Sequence, residues 1–433
     1  MSTDTLAVVG FVSLFALMLL RVPVGMAMGL VGVSGFGYIV GSTPALKMVG
    51  QTSMRTVTDF NFAVVPMFLL MGAFATTSGM SRELFRAGNA FLGHLRGGLG
   101  IATIAACGGF AAICGSSVAT AATFSKVAYP EMRRFNYPQS FSTGVIAAGG
   151  TLGIMVPPST VLAVYGLITE QDVGKLFVAG VLPGILAISM YMLTITAIGL
   201  ARPGFLPEGK KASWAERGAA LKDVWATLLL FAFVIGGIYG GMFTATEAAG
   251  MGAGGAFLIG LARGRLSPSG ILRSLLDATR TTAAVFTILI GALLFGYFLT
   301  VTQVPQKVTA FLTGLGIGAY GVLVLIMLMY LVLGCLMDAL AMIILTVPIV
   351  YPVIISLGFD PIWFGILIVM VVELGLIHPP VGMNIFVIKS VVEDVKISTI
   401  FYGVLPFILT DILRLAILIV FPSIALFLPG HMK

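Results

Sequence analysis

The sequence predicts an all-α polytopic membrane protein made of inverted repeats, with two re-entrant helical hairpins and two broken helices. Three observations predict it. Only 9% of the 433 residues are charged and 58% are hydrophobic, for a mean hydropathy of +1.08, whereas a soluble domain is about 25% charged. Apolar runs of about 20 residues, enough to cross a bilayer, recur from end to end. Finally, Leu152-Gly153-Ile154-Met155-Val156-Pro157-Pro158 is echoed 222 positions later by Leu374-Gly375-Leu376-Ile377-His378-Pro379-Pro380, and the same offset lays Tyr129-Pro130 on Tyr351-Pro352. A double proline removes two backbone donors and forbids helix continuation. Broken helices at corresponding places in two halves point to a transporter's binding site.

The elements follow from the basic residues at their ends, which the positive-inside rule places in the cytoplasm. MSTDTLAVVG lacks a basic region and a cleavage site, so it is expected to be the mature start of a first span over 5–20 that ends at Arg21. Residues 23–40 return, and 60–78 run towards Arg82 and Arg86. A broken helix over 138–168 crosses outward, and 172–200 comes back to Arg202. The polar stretch 201–223 holds Lys210, Lys211, Arg217 and Lys222 and is expected to be a basic cytoplasmic loop with a short amphipathic piece. It separates a first half, 1–200, from a second, 224–433. Spans are then expected over 223–242, 244–262 and 281–302, a second broken helix over 361–388, and a last span over 398–428. Segments 44–57 and 303–315 mix charged and apolar residues and are either interfacial helices or loops.

Two segments do not fit as simple spans. Residues 97–134 are flanked by His94 and Arg96 on one side and end in Arg133-Arg134, so both ends belong in the cytoplasm. Residues 316–360 have no Lys or Arg at either end and close on Asp360, so both ends belong outside. Each is long enough for a helix–turn–helix hairpin, and the two enter from opposite sides ahead of matching Pro-Pro breaks. The net charge of +7 is explained by these scattered span ends. The lipid bilayer is the implied partner, and nucleic acid is not.

The chemistry concentrates at the tips and breaks. The first tip reads Cys114-Gly115-Ser116-Ser117. Carbonyls freed at membrane depth need a partner, and a hard cation such as sodium takes several oxygen ligands. Carbonyls at Gly153, Val156 and Pro158, with Ser116 or Ser117 opposite, form one candidate cage; a tight helix contact of small residues is the alternative. The second tip reads Gly334-Cys335-Leu336-Met337-Asp338, with Asp338 on the position of Ser116. A charge at the bilayer centre usually has a role, so Gly334, Asp338, Gly375, Ile377 and Pro379 form a second candidate site. Asp338 also suits a helix N-cap, and both roles are compatible. Ser159, Thr160 and Asn384 sit at the starts of the second half-helices, whose amides favour an anionic group, and are candidate substrate contacts. Glu247 is expected to complement a helix N-terminus, Glu373 to bind freed backbone amides, and His378 to pack. Cys107, Cys114 and Cys335 are expected to be buried packing residues.

These residues carry a family resemblance. Cys114–Ser117, Gly149–Ser159, Phe243–Ala249, Asp360–Gly365 and Gly375–Asn384 resemble the large, DctM-like membrane subunit of tripartite ATP-independent periplasmic (TRAP) transporters over essentially the whole chain. The resemblance implies an elevator-type, sodium-coupled importer of small organic anions, such as a C4-dicarboxylate or sialic acid, in a bacterial inner membrane. It implies no enzyme activity and no cofactor beyond sodium as coupling ion. It also implies two partners, a small four-helix membrane subunit and a periplasmic substrate-binding protein. His378 departs from the family, which often has Thr there, and the chain resembles the unfused type. The alternative is a binding-protein-independent sodium/dicarboxylate symporter of the two-hairpin type. Neither a Walker motif nor a clustered acid–base set speaks for an ATPase or an enzyme.

Overall fold

The computed structural model describes residues 2–335 and 337–432. Leu336, in the second expected tip, lies outside the described residues. Among the described residues the chain is helical, with one isolated bridge between Arg96 and Glu208.

The halves repeat one order of elements. In the first, Thr3–Leu19, Val24–Val40, and Ser42–Thr58 with Val64–Thr77, which together match one long helix of the second half, precede Met80–Leu92. A helix pair, Gly98–Cys114 and Ser117–Arg134, then leads to a helix interrupted between Gln139–Met155 and Thr160–Thr169, and to the long Val173–Ala201. In the second, Trp214–Tyr239, Ala245–Ala262, Pro268–Val301 and Val304–Gly314 precede the pair Gly318–Gly334 and Ala339–Ser356. An interrupted helix follows, Pro361–Gly375 and Met383–Val391, and then Ile397–Val420. Among the described residues seven helices are long and apolar enough to cross a membrane, counting Gln139–Thr169 as one.

Several boundaries depart from the sequence expectation. The helix expected over 281–302 begins at Pro268, because Ser267 caps it, accepting from the Gly270 N–H at 3.1 Å, and proline is favoured in a first turn. The last part of the expected 201–223 loop is helical from Trp214, started by a capping box in which Ser213 and Glu216 exchange hydrogen bonds. The last span ends at Val420, before Pro422, rather than near 428. Segments 44–57 and 303–315 are both helical. The amphipathic helix Met80–Leu92 escaped the sequence reading. Its buried Glu83 accepts from Arg263 at 2.8 Å and pairs with Arg265, tying it to the end of Ala245–Ala262.

Glycines set the closest helix crossings. A Cβ on Gly25 would lie 2.6 Å from the Ile288 Cα, and one on Gly32 2.6 Å from the Leu294 carbonyl carbon, so Val24–Val40 and Pro268–Val301 touch backbone to backbone. Gly144 and Gly403 do the same between Gln139–Met155 and Ile397–Val420. The hydrophobic core forms two clusters that cross between halves. In one, Phe124 and Ala128 of the first pair share a cluster with Ile385 and Ile388 of the second interrupted helix. In the other, Ile344 and Val347 of the second pair share a cluster with Val161 to Tyr165 of the first interrupted helix. Each helix pair is therefore packed on the opposite half's helix end.

Candidate functional site

The first tip and break meet through backbone. Gly115 turns the chain at φ +61°, where a side chain would be strained. Ser116 caps the second arm, its hydroxyl accepting from the Ala119 N–H at 3.3 Å. A Cβ on Gly153 would lie 2.5 Å from the Ser116 carbonyl oxygen, and one on Gly115 2.9 Å from the Pro158 carbonyl oxygen. Thr160 closes the contact by donating its hydroxyl to the Gly115 carbonyl at 3.0 Å. Behind the break, Gly180 and Gly184 let Val173–Ala201 approach Met155 and the buried Val156. Gly115, Ser116, Gly153, Val156, Pro158, Ser159 and Thr160 thus share one locality.

The prolines decide which carbonyls are left over. Pro157 and Pro158 cannot donate to Gly153 and Ile154, four residues earlier. Ser159 replaces the second bond, its hydroxyl donating to the Ile154 carbonyl at 2.5 Å while accepting from the Leu162 N–H at 3.2 Å. In the second repeat Pro379 and Pro380 fail Gly375 and Leu376 in the same way, and the Asn384 N–H donates to the Leu376 carbonyl at 3.1 Å. Among the described residues, the carbonyls robbed of a helical donor without that replacement are Gly153 and Gly375, which the 222-residue offset relates.

At the second tip a Cβ on Gly375 would lie 2.7 Å from the Gly334 Cα, so tip and break again touch through backbone. Asp338 caps Ala339–Ser356, its carboxylate accepting from the Leu340 and Ala341 N–H groups at 3.0 and 3.2 Å. Ile377 is buried, whereas Pro379 is half-buried and its carbonyl accepts from the Cys335 thiol at 3.5 Å. His378 packs beside that thiol at 3.7 Å. Cys107, Cys114 and Cys335 are buried free thiols.

Ser117 and Asn384 join the two localities. The buried Ser117 hydroxyl donates to the Asn384 side-chain oxygen at 3.0 Å, and the Asn384 amide nitrogen lies 2.7 Å from the same hydroxyl. The first tip is thereby bonded to the second repeat's broken helix. Glu247 caps its own helix through a box with Thr244.

One expectation is corrected. Glu373 does not serve freed backbone amides: its carboxylate accepts from Arg414 at 2.6 Å. Arg414 also lies 3.0 Å from Asp411, and the Tyr191 hydroxyl sits 2.8 Å from both Asp411 oxygens. All four side chains are inaccessible. Asp411 and Arg414 were missed, although two opposite charges three residues apart inside an apolar run signal a buried pair.

A cavity of about 800 Å³ lies elsewhere. Thr52 and Arg55 of Ser42–Thr58, Gly296 of Pro268–Val301, and Glu170, Asp172 and Pro348 are among the residues that line it. None of the tip or break residues named above lines it.

A profile for the family described as "Tripartite ATP-independent periplasmic transporter, DctM component" matches residues 11–424. The chain is 38% identical over 402 residues to the C4-dicarboxylate TRAP transporter large permease protein DctM of Pseudomonas aeruginosa, covering 92% of this chain and 93% of that one. It is 32% identical to the sialic acid TRAP transporter large permease protein SiaM of Vibrio cholerae, with 94% of each chain covered. It is also 32% identical to the isethionate TRAP transporter permease protein DctMQ of Oleidesulfovibrio alaskensis, covering 97% of this chain and 66% of that one. Among solved structures, the YdaH transporter of Alcanivorax borkumensis superposes with a TM-score of 0.62 at 16% identity, covering 88% of this chain and 90% of that one. MtrF of Neisseria gonorrhoeae superposes at 0.58 and 14% identity, with 89% and 84% covered. At such identity these two speak for the fold alone.

Proposed function

Since this chain belongs to the DctM family, the large permease component of TRAP transporters, we propose that it carries a small organic anion inward across a bacterial inner membrane, coupled to sodium. It is a multi-pass membrane transport protein and not an enzyme. The observation that carries the sodium reading is the pair of carbonyls, Gly153 and Gly375, that the prolines deprive of donors at repeat-related positions. Beside Gly153 lie the Ser116 carbonyl and the Gly115 turn, and beside Gly375 lies Gly334, next to the Asp338-capped arm. Oxygen-rich, water-poor sites of this kind suit a hard monovalent cation. We assign one site to Gly115, Ser116, Ser117, Gly153, Val156 and Pro158, and a second to Gly334, Asp338, Gly375, Ile377 and Pro379.

The substrate anion lies between them in this reading, at the N-terminal ends of Thr160–Thr169 and Met383–Val391, with Ser159, Thr160 and Asn384 around it. Helix N-termini there offer amides and a favourable dipole to a carboxylate. The relatives' names span C4-dicarboxylates, sialic acid, isethionate and ectoine, so the substrate class proposed is a small carboxylate or related anion. A small four-helix membrane subunit and a periplasmic binding protein complete the system. The two helix pairs, entering the membrane from opposite faces, and the broken helices move together as an elevator. The glycine-locked pair Val24–Val40 and Pro268–Val301 belongs to the static part.

The test is uptake of labelled carboxylates into proteoliposomes holding this chain and its small subunit, with the binding protein outside. Uptake that needs both an inward sodium gradient and the binding protein is expected. Equal uptake with potassium in place of sodium removes the sodium assignment, and uptake without the binding protein removes the tripartite one.

A further inference from the structure

The buried ion cluster sits where the two repeats meet, and its members fall in register. Thr151 and Glu373 are related by the 222-residue offset, and each lies two residues before one of the proline-deprived glycines, Gly153 and Gly375. They are linked through the long helices that follow the breaks. Arg414 donates one nitrogen to Glu373 at 2.6 Å and holds that same nitrogen 3.0 Å from Asp411. Asp411 takes the Tyr191 hydroxyl on both oxygens at 2.8 Å, and the Tyr191 oxygen lies 3.3 Å from the Thr151 hydroxyl. Arg414 also covers the Tyr191 ring, 5.5 Å from its centroid. A continuous polar chain of five residues thus runs from the last helical turn before one break to the last turn before the other. All five side chains are closed to solvent.

Burying two carboxylates and one guanidinium costs more than an apolar packing of the same volume, so stability does not account for the cluster. Its arrangement does point to a role. One Arg414 nitrogen is shared by two carboxylates, so a shift of Glu373 changes how strongly Asp411 is held, and hence where Tyr191 and Thr151 rest. Glu373 Oε1 and Arg414 Nε and Nη1 have no hydrogen-bond partner among the described residues. The cluster therefore has donors and an acceptor to spare for a second arrangement, which is what an element that transmits coupling needs.

We propose that Thr151, Tyr191, Asp411, Arg414 and Glu373 are positioning residues that couple the two cation sites, so that sodium bound at one break raises the affinity of the other. This rests on the sodium reading above. Coupling of this kind is reciprocal and shows as cooperativity between sites.

The test uses the purified full-length chain in nanodiscs, titrated with sodium chloride at constant total salt and followed by calorimetry. Wild type is expected to bind two sodium ions with a Hill coefficient above one. Tyr191→Phe and Thr151→Val keep the Glu373–Arg414 pair and add no bulk. Each is expected to keep two ions bound, lower the Hill coefficient to about one, and raise the half-saturating concentration roughly three- to tenfold, as for the removal of one hydrogen bond. Each should lower the unfolding midpoint without sodium only by what one lost buried hydrogen bond costs, whereas a merely structural role would leave the Hill coefficient at its wild-type value. Wild-type cooperativity in both variants overturns the inference and leaves the sodium sites standing, as does non-cooperative binding by wild type. Absence of sodium binding in wild type overturns the sodium reading itself, and the coupling with it.

Discussion

Gly153→Ala isolates the contact between the first tip and the first break. The residue sits in the last turn of Gln139–Met155 and has helical backbone, so alanine brings no conformational strain and would be favoured by helix propensity alone. Its cost comes wholly from the new methyl group, which would lie 2.5 Å from the Ser116 carbonyl oxygen, 2.6 Å from its carbon and 2.8 Å from the Ser117 nitrogen. These are backbone atoms and cannot rotate away. Ordinary contact begins at 3.4 Å, so the tip must withdraw by about 0.9 Å. Ion–oxygen distances are held within a few tenths of an ångström in cation sites, so such a shift takes the Ser116 locality out of range of a cation at Gly153. Overpacking of this kind costs about 1–3 kcal/mol, which corresponds to a rise of about fivefold to about a hundredfold in half-saturating sodium. The assay is sodium-dependent uptake in proteoliposomes, beside Gly250→Ala, where a Cβ meets nothing within 4 Å. Wild-type sodium dependence in Gly153→Ala, with the control also unchanged, would falsify the assignment of this locality to sodium.

Three further outcomes are expected. Asp338→Ala removes both a helix cap, worth about 1 kcal/mol, and the charge of the second tip, so uptake should lose most of its sodium dependence while the protein still inserts; sodium titration of uptake with a membrane-fraction blot checks both. Arg414→Met leaves Glu373 and Asp411 buried without their cation, which costs about 3–5 kcal/mol. Its unfolding midpoint should drop sharply in a thermal scan and recover in large part when Glu373→Gln and Asp411→Asn are added. Gly32→Leu forces Val24–Val40 away from the Leu294 backbone, so the detergent-solubilised protein should lose its monodisperse size-exclusion peak; a normal peak would show that the crossing is looser than the interatomic distances say.

Much of the architecture was legible in the sequence for physical reasons that hold residue by residue. A Pro-Pro pair must interrupt a helix, and the 222-residue echo shows that it happens twice in the same context. Basic residues at both ends of 97–134 and at neither end of 316–360 separate the helix pairs from simple spans. What escaped depends on tertiary partners. The start of the helix at Pro268 was hidden because its first turns carry Arg273 and Asp277 and fail a hydropathy test, although the Ser267-Pro268 cap announces it. Met80–Leu92 has too few apolar residues to register as membrane structure and is fixed by Glu83 against Arg263 and Arg265. The counterion of Glu373 comes from a helix about 40 residues away in sequence, and no local pattern names it.

The crossing of the two halves carries the functional argument furthest. Had each tip packed only on its own repeat's break, the protein would hold two half-sites free to respond separately. Instead the Ser117 hydroxyl of the first tip is bonded to Asn384 of the second repeat, and the second pair's Ile344 and Val347 pack in one cluster with Val161 to Tyr165 of the first. Moving either tip against the other repeat therefore breaks a buried hydrogen bond or opens apolar surface, and each such rupture costs about 1 kcal/mol or more. Because several of these interactions would have to break together, a relative slide of the halves is far less favourable than a joint movement of both. The interlocked tips and breaks are thus held as one body against any relative slide of the two halves.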